Sequence, residues 1–346
     1  MALLHENGLL FYDSQGNIHQ FVQRGDRVES IYWEKNGKDA VREMLWEGIR
    51  ELRGCIQRDD TIRLFCIDQS DQMSLYTIQG NQVKRLPVPK GDEESGLRDG
   101  AVFSVENQVV LLYTCQKKRE EKAVEMAFCK RRLAAVSLDM EGGGFEGGRI
   151  LTEFETGLLP SEVAVRQYGD VTYICLIEKR PKECSILVLR HMKGRPEQAL
   201  VRILLTREIF WYDFCLRKGK LLFAYTVREE GMFSIKALIY DPETEEVSEE
   251  ISVCEKTSCT HPVFEGYQGG LWLSWFEEGS VHSRVYQQEK GFVYPYKWKE
   301  TIGKELLFNE IHLNDQKLKE RNGFDLRRVF CLLPENQMTG FGKILR

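Results

Sequence analysis

The sequence predicts an all-β chain built on a repeat of about 50 residues, each unit holding four short strands. Three observations carry this reading. The stretch 211–298 contains one pattern twice, and Leu221 and Leu271 open matching runs 50 residues apart. The runs are rich in Val, Ile, Tyr, Phe and Trp and alternate with period two, which excludes a helical solenoid. Turn signals separate them, at 217–220, 228–231 and 241–246 in the first copy and at 266–270, 277–280 and 287–291 in the second.

The pattern extends outward along the whole chain. Leu9, Ile62, Val109, Val171, Leu221 and Leu271 each mark the start of a second strand, and Leu318 is the last marker. The longest interval, from Val109 to Val171, contains the insertion 139–149, DMEGGGFEGGR. A four-stranded unit of this length resembles the blade of a β-propeller. The resemblance is to the propeller superfamily by pattern, over nearly the whole chain. The WD dipeptide is missing, as is the S-x-D-x-G-x-T-W box of sialidase-like propellers. It implies seven blades, with six the alternative, closed by pairing of carboxy-terminal with amino-terminal strands so that no sheet edge stays open.

In chain order, residues 1–33 supply LLFY, IHQFVQ and VESIYW, with only a stub at 2–5 for a first strand. Asp39 followed by apolar residues at 40, 41, 44 and 45 predicts a helix of two turns over 39–48. At the far end, 299–346 reads as an irregular closing segment with strands in LLFNEIHL and FDLRRVFCLL and a short polar helix at 315–322. No long Pro-, Gly- or Ser-rich linker interrupts the chain, so 1–346 is read as one domain.

Composition narrows the function classes. With 42% hydrophobic and 29% charged residues the chain is a globular one. A net charge of −5 gives no basic footprint for nucleic acid. The start MALLHENGLLFYDSQGN shows neither a leader nor a membrane span, which predicts a cytoplasmic protein. Ten cysteines lie mostly inside apolar runs such as LFCI, YICLI and VFCLL, and reduced, buried thiols are expected. Cys254 and Cys259, with His261 nearby, lack zinc-ligand spacing; neither metal nor cofactor is expected.

Gly142-x-Gly144-x-x-Gly147 matches a dinucleotide fingerprint on paper, but RILTEF follows it instead of a helix, so a hairpin loop is the better reading. The basic stretches 116–133 and 179–182 are read as solvated loops, with a local anion patch the alternative. Trp272 and Trp275 fall on opposite strand faces, which suits packing between neighbouring blades.

One constellation points to a site. Glu51, Glu162, Asp213 and Glu310 each stand just before the alternation of a first strand, and His261 holds that place in another repeat. First strands of a propeller line its central channel. Carboxylates gathered there, with Tyr212, Trp211 and His261 beside them, are candidates to bind a ligand at the channel mouth, or to serve as acid and base in glycoside chemistry. Gathered like charges repel, so replacing Asp213 and Glu310 by Asn and Gln is expected to spare the fold or raise its melting temperature. Solvated strand ends around a wet channel are the plain alternative. The favoured function is a noncatalytic scaffold that binds a protein, peptide or glycan on one face. A carbohydrate-active or other hydrolase, and a structural ring within an assembly, are the alternatives.

Overall fold

A computed structural model describes residues 8–293 apart from 16, 35–40, 57–58, 81, 106–107, 118–127, 158–160, 193–197, 256–258, 268–269, 278–279 and 288–289. Among them it forms six antiparallel sheets. The first joins β1 (Gly8–Tyr12), β2 (Ile18–Arg24), β3 (Arg27–Trp33) and β4 (Val41–Trp46), and the second β5 (Ile49–Ile56), β6 (Ile62–Asp68), β7 (Met73–Gln79) and β8 (Gln82–Val88). The third joins β9 (Glu94–Val105), β10 (Gln108–Lys117), β11 (Cys129–Asp139) and β12 (Phe145–Thr156). The fourth joins β13 (Ala164–Tyr168), β14 (Val171–Arg180), β15 (Glu183–Met192) and β16 (Gln198–Leu205). In the fifth, β17 (Ile209–Arg217), β18 (Lys220–Glu229) and β19 (Met232–Asp241) continue into β20 (Glu246–Val247) and β21 (Ile251–Cys254), both paired with β19. The sixth joins β22 (Thr260–Tyr267), β23 (Gly270–Glu277), β24 (Ser280–Gln287) and β25 (Gly291–Val293).

Each sheet is a meander, its strands paired in chain order apart from β21, which pairs with β19. Two of the turns show why the sequence breaks where it does. Arg217 pairs with Lys220 and Glu229 with Met232, which leaves two-residue loops. Both loops, Lys218–Gly219 and Glu230–Gly231, hold positive φ throughout, the backbone of a turn that matches strand twist.

Consecutive sheets pack face on face through apolar clusters. Leu9 and Phe21 meet Leu52 and Leu64 between the first two sheets, and Ile177 and Val188 meet Phe214 and Phe223 between the fourth and fifth. Second strands are therefore covered on both faces, and β14 and β18 are buried almost end to end. That is why their sequences read as continuous apolar runs. Fourth strands lie at the rim, and β8 is exposed over most of its length. The first strands of successive sheets neighbour one another, β5 beside β9 and β17 beside β22. Gly54 on β5 leaves room for Leu64 of β6 and Leu9 of β1, since a Cβ there would stand 2.7 Å from Leu64 and 2.9 Å from Leu9.

Several expectations need correction. Residues 41–46 are not helical but form β4, the rim strand of the first sheet. Val41 and Met44 face solvent while Leu45 and Trp46 pack inward, so pairing with β3 outweighs the local helix signal. Leu9 accordingly lies in a first strand, not a second. Cys254 and Cys259 are joined, so they are not the reduced thiols expected, while Cys66, Cys115, Cys175 and Cys184 are free and buried as expected. The glycine stretch 142–147 lies in and just after the β11–β12 hairpin, where Asp139 accepts the Glu141 and Gly142 amides at 3.0 and 3.1 Å. Ring closure, the stub at 2–5, the helix at 315–322, the segment 299–346, Leu318 and Glu310 fall outside the described residues.

Candidate functional site

The acidic positions read from the sequence mark a device repeated in five sheets. Near its start, each first strand carries one residue more than its partner strand. Ile49 and Glu51 face Asp68 and Ile67, so Arg50 is extra. Asp99 and Gly100 lie between the pairs Arg98–Thr114 and Ala101–Leu112. Phe210 and Trp211 lie between Ile209–Val227 and Tyr212–Tyr225, and His261 and Pro262 between Thr260–Phe276 and Val263–Ser274. In the fourth sheet the Ser161 carbonyl accepts the Ile177 amide at 2.7 Å while Ala164 faces Cys175, which leaves Glu162 and Val163. Such bulges re-aim side chains. Asp99, Glu162 and His261 take φ of 54°, 51° and 54°, a left-handed backbone that side chains other than glycine adopt at a cost of about 1–3 kcal/mol.

The side chains at and beside these bulges fall into two groups. The first group clasps one sheet to the next. Glu51 Oε1 accepts the Gly100 amide of the third sheet at 2.7 Å and lies 3.1 Å from Arg53 Nη2. Asp99 Oδ1 accepts the Ser161 amide of the fourth sheet at 2.9 Å, and its Oδ2 accepts Thr114 Oγ1 at 2.9 Å. Asp213 Oδ2 accepts the Phe264 amide of the sixth sheet at 2.8 Å, and its Oδ1 accepts Arg166 Nη2 at 2.6 Å. Gln23 ties the first sheet to the second through the Ile49 and Arg50 carbonyls, and Tyr168 ties the fourth to the fifth by accepting the Leu216 amide. Asp213 is thus compensated by a cation and an amide. The crowding of like charges expected around Asp213 is therefore replaced by a compensated carboxylate, and an Asn there would keep one acceptor oxygen for two donors.

The second group is unsatisfied. Glu162 makes no hydrogen bond or ion pair among the described residues, and Tyr212 Oη and His261 Nδ1 are buried without a partner. Burial pushes the Glu162 carboxyl up to about 7, Arg53 opposes the shift, and the Asp99 and Glu51 carboxylates add to it. Glu162 is half-buried. Burial also holds the Tyr212 phenol well above its ordinary range, with Cys175 and Glu162 among the groups that add to the shift. His261 is pushed down to about 3 by burial alone, so its ring is neutral; Trp211 stacks on it with centroids 4.2 Å apart. Successive sheets therefore contribute a carboxyl, a phenol and a neutral imidazole, each from the same bulge region.

The sequence reading missed Asp99, although it precedes the alternation of Gly100–Phe103 just as Glu162 precedes its own. It also missed Arg53 and Arg166, and it read Lys179 as part of a solvated loop at 179–182, whereas Lys179 lies in β14 and is buried. Lys179 is buried and paired with Glu208 at 2.9 Å, while Arg180 pairs with the buried Glu178 at 3.2 Å. Arg131 is buried too, and burial lowers its guanidinium to about 10. Lys179 and Arg131 are thus spent inside the protein, while residues 118–127 of the other basic stretch fall outside the described residues.

Among solved structures, the chain is similar to the Aleuria aurantia lectin in complex with alpha-methyl-L-fucoside, with a TM-score of 0.51 and 8% identity over 85% of this chain and 94% of that one. It is similar to YjhT, with a TM-score of 0.50 and 10% identity over 84% and 97% of the two chains. The WD40 domain of SCAP from fission yeast gives a TM-score of 0.50 and 9% identity over 83% and 72%. The fold is that of the β-propellers. No protein-family model and no curated protein matches the sequence. In this propeller the bulged starts of the first strands hold both the blade-to-blade clasps and the unsatisfied trio.

Proposed function

We propose that this propeller is a noncatalytic binding scaffold, and that the mouth formed by the bulged first strands receives an uncharged, hydrogen-bonding group of a peptide, protein or glycan partner. The supporting observation is the trio Glu162, Tyr212 and His261. A buried polar group left without a partner costs about 1–3 kcal/mol, and the left-handed backbone at Glu162 and His261 adds to that. A ligand offering both donors and acceptors removes this cost. Glu162 carries its proton over much of the range below 7, Tyr212 is a phenol and His261 is neutral, so the mouth suits hydroxyls or amides better than ions. Trp211, stacked on His261, fixes the imidazole plane.

A hydrolytic reading is less well supported. Glycoside chemistry requires two carboxyl groups free to act at one bond. Glu51 and Asp99 are the carboxylates nearest in influence to Glu162, and both are committed to clasping sheets.

The test is a screen of the intact chain against a glycan array and a peptide library, repeated with Tyr212→Phe and Glu162→Gln. Binding that both variants weaken at least tenfold while keeping their circular dichroism supports the reading. Ligands that bind both variants as tightly as the parent would place recognition elsewhere on the ring.

A further inference from the structure

Where the fifth sheet passes into the sixth, three metal-capable side chains gather away from the mouth, with a fourth, His282, beside them. Cys254 ends β21, and Cys259 directly precedes β22. Their Cα atoms are 6.6 Å apart and their sulfurs are joined. Glu277, at the end of β23, brings Oε2 to 3.6 Å from Cys254 Sγ. One donor atom from each of Cys254, Cys259 and Glu277 falls within a 4.8 Å cluster. His282 lies opposite Trp275 on the paired strand β24, with Nδ1 3.9 Å from the same Glu277 oxygen.

We propose that in the reduced chain Cys254, Cys259 and Glu277 form a site for a divalent cation of the zinc class, and that the exposed ring of His282 turns in to complete a tetrahedron. Disulfide and metal are then two alternative closures of one point. The Trp275 indole holds Glu277 in place, but a disulfide gains nothing from a carboxylate against it, because its sulfurs carry lone pairs and no proton. Against two thiolates a metal supplies that gain. Two sulfurs, a carboxylate oxygen and an imidazole nitrogen make a closed donor set for zinc. With bonds of about 2.0–2.3 Å to a shared ion, tetrahedral donors stand about 3.3–3.8 Å apart; Cys254 and Glu277 already stand 3.6 Å apart, while His282, 3.9 Å from Glu277, must move closer to the sulfurs.

The surrounding groups hold these donors in place. Trp275 Nε1 donates to Glu277 Oε2 at 3.0 Å, and the His282 ring stacks on the same indole with 21° between planes. Support of this kind normally accompanies metal ligands. His261, nearest to these cysteines in sequence, is not part of the cluster; its ring lies against Trp211.

Reduction of the Cys254–Cys259 bond by a dithiol transfers two electrons and two protons, yielding two thiols and the oxidised reagent as a disulfide. Metal binding then releases the two thiol protons to solvent and leaves thiolates on the ion. Either closure fastens the passage from the fifth sheet to the sixth.

The test uses the full chain reduced with dithiothreitol, desalted without oxygen and titrated with cobalt(II), then zinc(II). The expected result is one cobalt per chain, with thiolate charge-transfer bands and tetrahedral visible bands that zinc abolishes. Oxidised protein should show neither. Cys254→Ser should lose the site, and Glu277→Gln and His282→Gln should weaken it about 10–100-fold with unchanged circular dichroism. A reduced parent chain that takes up no stoichiometric metal overturns the proposal. So does cobalt binding of equal affinity in the Glu277 and His282 variants.

Discussion

Replacing Glu162 by Gln removes the one carboxyl at the mouth that burial holds near neutrality. Its proton affinity rises from 4.5 to about 7 on folding, so the folded chain binds a proton that the unfolded chain has lost between those values. The sign follows: Glu162 favours the fold at low pH, and that support is lost as pH rises through the folded value. The full shift corresponds to about 3 kcal/mol, and solvent on the open side trims it to about 2–3 kcal/mol. His261 works in the opposite direction. Its affinity falls from 6.5 to about 3 on folding, so stability is lost as pH drops below 6.5, by about 1.4 kcal/mol for each pH unit. Between 4.5 and 6.5 the two slopes cancel in the parent chain. In Glu162→Gln only the imidazole slope remains. Urea unfolding at half-unit pH steps should then show the variant gaining about 2–3 kcal/mol on the parent from about pH 4 to about pH 8, with an unchanged m-value. A constant difference across that range would refute the burial assigned to Glu162.

The same denaturation series in His261→Gln should show the mirror image, a variant that gains on the parent as pH falls from 6.5 toward 4.5. Asp213→Ala strands Arg166 and the Phe264 amide, and should cost about 2–3 kcal/mol because Arg166 is partly open to solvent; a melting temperature equal to the parent's would show that the clasp contributes nothing. Gly54→Ala drives a methyl into Leu64 and Leu9 and should cost about 1–3 kcal/mol by chemical denaturation. Cys66, Cys115 and Cys175 are buried, with thiols that burial pushes upward, so a thiol reagent should reach them only after unfolding; rapid native labelling would place them outside the core.

Architecture was legible because packing writes itself into second strands. Ile62, Val109, Val171, Leu221 and Leu271 all lie at or beside second-strand starts, where burial on both faces demands unbroken apolar runs. Rim strands carry no such demand, so β4 resembled a helix: exposed Val41 and Met44 are spaced as a helical face would be. At the site, the shared place of Glu162 and His261 was visible because a bulge interrupts the period-two alternation. Their difference from Glu51 and Asp213 was not. It depends on which backbone amide the neighbouring sheet presents, and that amide lies about 50 residues further along the chain. Aligning all first strands, Gly100–Phe103 included, exposes Asp99 as a member of the same set.

The state of the mouth can be read directly by carbon-detected magnetic resonance on chain labelled at the glutamate carboxyls. One carboxyl should show a midpoint near 7, absent from Glu162→Gln, and displaced when the screened ligand binds. If every glutamate carboxyl titrates near its ordinary 4.5 and none responds to ligand, the mouth is a solvated channel end and recognition does not occur there.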